Sequence, residues 1–86
     1  MIVDFRAPSL QELEKKAIQA VFDEFPIIVQ AIVPEAYGSA DLEISFRTVD
    51  GSLYQARLDQ FHRMGNPTEY KGFLRRSIKH AMGEAL

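Results

Sequence analysis

The stretch Leu42-Glu43-Ile44-Ser45-Phe46-Arg47, followed beyond a Val49-Asp50-Gly51 turn by Tyr54-Gln55-Ala56-Arg57-Leu58, decides the fold. Apolar and polar residues alternate on both sides of the turn, the period of two that marks strands with one buried face. A two-residue Asp50-Gly51 turn would set Phe46 opposite Gln55 and Ile44 opposite Arg57, mixing the faces. A three-residue loop with Gly51 in the left-handed region instead pairs Phe46 with Tyr54, Ile44 with Ala56 and Leu42 with Leu58, and sets Glu43 opposite Arg57. Both faces are then consistent, which predicts a hairpin over residues 41–60 in that register.

Working outward, residues 27–33 (Ile-Ile-Val-Gln-Ala-Ile-Val) are rich in β-branched side chains and bounded by Pro26 and Pro34, which predicts a third strand. Simple alternation places Ile27, Val29, Ala31 and Val33 toward the core and turns Ile28 and Ile32 outward. Residues 9–25 read as a helix. Ser9 and Glu12 have capping-box spacing, Pro26 stops the run, and Leu10, Leu13, Ala17, Ile18, Ala20, Val21 and Phe25 form an apolar arc. Residues 67–85 read as a second helix, capped by Asn66 with Pro67 in the first position and Glu69 completing the box. Its apolar arc is Tyr70, Phe73, Leu74, Ile78, Ala81 and Ala85. A short extra strand at residues 2–6 is compatible with this arrangement.

The expected fold is therefore a single α+β domain over residues 1–86. It is a two-layer sandwich of α-β-β-β-α order, with a three-stranded, mainly antiparallel sheet and both helices on one face. The order of elements resembles that of the double-stranded-RNA-binding domain. Where that family has a Gly-Pro-x-His loop and a Lys-Lys helix start, this chain has Val49-Asp50-Gly51-Ser52 and Pro67-Thr68-Glu69, so the likeness is one of architecture alone.

The 86 residues leave room for one small core. With 47% apolar and 26% charged residues the composition is that of a folded globular chain. The absence of cysteine excludes disulfides, thiolate metal sites and a cysteine nucleophile, and with no leader expected at Met1–Arg6 it points to the cytoplasm. The apolar run from Phe25 to Val33 is too short to span a bilayer, so no membrane partner is expected. The five glycines are dispersed and make no phosphate-cradling loop, and no serine sits in a nucleophile elbow, so neither a catalytic site nor a cofactor is expected. Asp59, His62, His80 and Glu84 offer nitrogen and oxygen ligands, but their spacing matches no metal motif. Two polar residues fall inside apolar arcs. Glu14 is expected at the fringe with its carboxylate reaching water, and Ser77 is expected to bond the carbonyl one turn back.

Charge is uneven. Residues 1–61 hold five basic and ten acidic side chains, and residues 62–86 hold five basic and two acidic ones. Lys71, Arg75 and Lys79 recur every four residues on the second helix, with Arg76 beside them. Such a strip would suit an acidic protein surface, with nucleic-acid phosphates as the second choice. A second candidate contact is the outward sheet face, where Ile28, Ile32 and Leu53, with Val3 or Phe5 nearby, would make an apolar patch able to pair two copies as a homodimer. The expected function is a non-enzymatic interaction module of adaptor, accessory or inhibitor type, touching its protein partner through Lys71, Arg75, Arg76, Lys79, Ile28, Ile32 and Leu53.

Overall fold

A computed structural model describes residues 1–7, 10–34 and 41–83. Its elements are β1 (Asp4–Phe5), α1 (Glu12–Phe22), β2 (Ile28–Val33), β3 (Leu42–Thr48), β4 (Leu53–Leu58), α2 (Gln60–Arg63) and α3 (Pro67–Ala81). The strands form a mixed sheet in the order β1-β2-β3-β4. The fold is α+β as expected, with a fourth strand and a third helix added. The extra strand is β1, which runs parallel to β2 with Asp4 beside Ile32 and Phe5 beside Val33. Residues 1–3 leave the sheet because the Gln19 side chain of α1 takes them: its amide oxygen accepts from Val3 N–H and its amide nitrogen donates to the Met1 carbonyl.

The β3–β4 hairpin has the register that alternation demands, with Phe46 opposite Tyr54, Ile44 opposite Ala56, Leu42 opposite Leu58 and Glu43 opposite Arg57. Gly51 sits at φ +86°, where a side chain would be strained. Asp50 braces the turn by accepting from the Thr48 hydroxyl and from Ser52 N–H. These bonds stabilise the ionised carboxylate and lower its pKa.

β2 departs from simple alternation. Ile28 pairs with Thr48 but Gln30 pairs with Arg47, so Val29 is the extra residue of a β-bulge. The bulge reverses the side-chain phase before it. Ile28 therefore turns into the core with Ala31 and Val33, leaving it 2% exposed, while Ile27 and Val29 face solvent. Ile28 is thus corrected from an outward contact residue to a core residue. Val3 is also buried and Phe5 packs on the core, so neither joins the outer face.

α1 begins at Glu12, with Gln11 rather than a bonded side chain at its cap; Ser9 lies outside the described residues. Its buried stripe is Ala17, Ile18, Val21 and Phe22, rotated from the expected arc. Leu13 is 74% exposed and Leu10 is buried ahead of the helix. α3 starts as its sequence dictates, with the Asn66 side chain accepting from Glu69 N–H at 2.9 Å and Pro67 in the first position. It buries Tyr70, Leu74 and Ile78, while Ala85 of the expected arc lies outside the described residues. Both helices contribute to one apolar cluster with the inner sheet face, and Phe22 meets Phe46 edge-on at 5.8 Å between ring centroids. α1 and α3 lie beside each other in the same sense, since Tyr70 meets Glu14 and, further on, Arg75 meets Glu24.

Ser77 overturns its expected role. Its hydroxyl donates to the Arg57 carbonyl at 2.6 Å and accepts from Arg57 N–H at 3.0 Å, satisfying both backbone groups on the outer side of the edge strand β4. One serine thus ties α3 to the sheet and occupies the backbone groups that Arg57 would otherwise offer another strand.

The phase of α1 is checked by paired truncations. Ile18→Ala should cost about 2–5 kcal/mol in urea denaturation. Leu13→Ala, despite its place in the helical pattern, should change stability by less than about 0.5 kcal/mol; equal losses would contradict the phase.

Candidate functional site

On a helical projection Glu14 lies at the centre of the buried stripe of α1, between Ile18 and Val21. A carboxylate there needs partners, because burying an unpaired charge is costly. Two are supplied. Arg63, at the end of α2, donates from Nε and Nη2 to the two Glu14 oxygens at 2.9 Å each. The Tyr70 hydroxyl, from the first turns of α3, donates to Glu14 Oε2 at 2.7 Å. Glu14 is therefore corrected from a fringe residue to the hub of a cluster, with its side chain 15% exposed and that of Arg63 21% exposed. The fork geometry fits a carboxylate and holds the guanidinium charge, raising the Arg63 pKa still further. Burial, reinforced by the hydrogen bond to Glu14, pushes the Tyr70 phenol far above its ordinary pKa and keeps it protonated.

The cluster floors a groove of about 270 Å³ between the starts of α1 and α3, walled on one side by Leu13 and on the other by Arg63 and Gly65. Gly65 packs closely there, since a Cβ on it would lie 2.9 Å from Glu69 Oε2. α2 exists because its N-terminal donors are met. Asp59 accepts from His62 N–H, and Asp41 accepts from Gln60 N–H at 3.2 Å while also taking Arg57 Nη2 at 2.8 Å. Those donors hold the Asp41 carboxyl below its usual pKa. None of the residues of α2 is buried. Phe61 and Met64, three apart on that turn, are 84% and 75% exposed. Leu13, also exposed, lines the groove that Arg63 and Gly65 of the same segment wall.

The residues expected to bind partners are scattered. Arg75 is not free: it forks onto Glu24 at the end of α1, at 2.6 and 2.8 Å. The Glu24 carboxyl is held below its ordinary pKa mainly by that hydrogen bond, with Lys71 and Lys79 adding to the field. Arg76 lies 5.0 Å over the Phe73 ring, and the His62 ring lies 4.0 Å from the same phenyl. The cationic strip is thus divided between a seam facing α1 and a stack facing α2. On the outer sheet face the exposed Leu53 and half-buried Ile32 line one shallow depression with Gln30, Ser45 and Arg47, so the two aliphatics there are set among polar side chains.

His62 Nδ1 lies 3.0 Å from Asp59 Oδ1. Among the described residues no three of His, Asp and Glu converge as metal ligands; Glu84 lies outside them. No helix there is long and apolar enough to cross a membrane. No protein-family model, curated protein or solved structure matches the chain.

The buried phenol gives a pH signature. The native state holds the Tyr70 proton above the ordinary phenol pKa of 10.0, whereas the unfolded chain releases it there. Its contribution to stability is present in full below about pH 10 and is lost as pH rises past that value. The tyrosinate absorbance absent from Tyr70→Phe should therefore appear only together with alkaline unfolding. Ionisation in the folded protein near pH 10 would contradict the burial.

Proposed function

We propose that the chain is a non-enzymatic interaction module that docks an apolar protein surface on Leu13, Phe61 and Met64. The observation that carries this reading is the exposure of Phe61 and Met64 on a turn fastened by a partly buried fork. Aromatic residues and methionine are enriched at protein interfaces, and exposed side chains of this size contribute little to the fold itself. The charge of Arg63 is balanced by Glu14, so the surface asks no counter-ion of its partner. Recognition is therefore apolar, and the affinity is only weakly salt-dependent.

This shifts the contact away from the basic helix. Arg75 is committed to Glu24, which weakens the case for a phosphate-binding strip and for an acidic partner held by that arginine. Lys71, Lys79 and Arg76 remain as flanking positive charge, and Ile32 and Leu53 lie on a polar face.

The test compares wild type with Phe61→Ser/Met64→Ser. The double variant should match wild type within about 0.5 kcal/mol in denaturation, because neither side chain is buried. A partner recovered from lysate of the source organism and then purified should lose about thirtyfold or more in affinity for the variant, the scale of a hot spot of about 2 kcal/mol. Wild-type affinity should barely change between low and moderate salt. Equal affinity for the variant would overturn the reading. So would loss of binding in Lys71→Glu/Lys79→Glu alone, with nucleic acid as the recovered partner and affinity falling steeply with salt.

A further inference from the structure

Between Leu58, which ends β4 in the core, and Tyr70, which re-enters it from α3, no residue is buried. With no side chain in the core, the segment is attached to the domain by contacts at its surface. Arg63 forks onto Glu14, 49 residues away in sequence. Gln60 N–H reaches Asp41, and the His62 ring lies against Phe73. The hydrogen bonds from His62 and Arg63 N–H to Asp59 close within the segment and do not attach it to anything else. We propose that residues 60–65 form a strap over the α1–α3 groove, latched by the Arg63–Glu14 pair, which opens as a unit while the sandwich stays folded.

The latch reaches across to α1 and walls the groove there. Releasing it leaves Leu58 and Tyr70 in the core, gives up the His62–Phe73 ring contact, and frees a single helical turn too short to keep its own hydrogen bonds. The open form is therefore a local opening rather than a step of global unfolding. Opening uncovers the Glu14 carboxylate and Tyr70 hydroxyl at the groove floor and carries Phe61 and Met64 with it. The strap opens in this way whether or not Phe61 and Met64 engage a partner.

Native-state amide hydrogen exchange, followed residue by residue in sub-denaturing guanidinium, tests it. In wild type the Arg63 and Met64 amides should exchange faster than those of Ile44 and Ile78, and almost independently of guanidinium, because a local opening exposes little surface. In Arg63→Lys, which keeps the charge and loses the fork, and in the isosteric Glu14→Gln, exchange at the same two amides should rise about tenfold. The strap is overturned if Arg63 and Met64 share the guanidinium dependence of Ile44 and Ile78. The latch is overturned if neither substitution changes their exchange. The wild-type profile decides the first point even where a variant folds poorly.

Discussion

A carboxylate in the middle of a buried helical stripe is the constraint around which the rest of this molecule is arranged. Glu14 occupies the position on α1 where its neighbours one and two turns on, Ile18 and Val21, are fully buried. Ionised and unpaired it would weigh against folding; forked by Arg63 and capped by the Tyr70 hydroxyl, its oxygens are satisfied. Satisfying it recruits the segment after β4 and the first turns of α3. One polar residue thus specifies how three elements meet, a kind of specificity that apolar packing, which is not directional, does not impose.

The same logic recurs along the helical layer and at the sheet edges. The Arg75–Glu24 fork makes a second rung between α3 and the end of α1, after the Tyr70–Glu14 hydrogen bond, and the two rungs keep the same order along both helices. That order matches the parallel sense set by a sheet in which β2 and β4 point the same way. Ser77 covers the β4 edge at Arg57, and on the other side the two-residue β1 pairs with the end of β2 while Gln19 gathers the segment before it. For a domain with so small a core, these side chains supply a definition that apolar burial alone would leave loose.

Where periodicity and local chemistry act alone, the fold was legible. The hairpin register follows from alternation and the left-handed Gly51, and the start of α3 follows from Asn66, Pro67 and Glu69. Where a long-range contact decides, it was not. The bulge at Val29 reverses the phase of Ile28 without any glycine or proline at the site, so an apolar run gave no warning. The stripe of α1 is rotated from the expected arc, which took in Leu13 and passed over Phe22. Glu14 carried a signal, a charge inside an apolar arc, but its partner lies 49 residues away and nothing local to Arg63 marks it. α2 is a single turn without an apolar stripe, and the neutralisation of Arg75 depends on helix packing that no spacing rule reveals.

The account turns on Glu14 and Arg63 acting as one unit, and a double-mutant cycle in chemical denaturation measures that most directly. Glu14→Gln, Arg63→Gln and the double variant should give a coupling energy of about 1–3 kcal/mol, with the double variant losing clearly less than the two single losses added together. Single losses that add within about 0.5 kcal/mol would show that the two side chains stabilise the protein independently, and would contradict the arrangement described here.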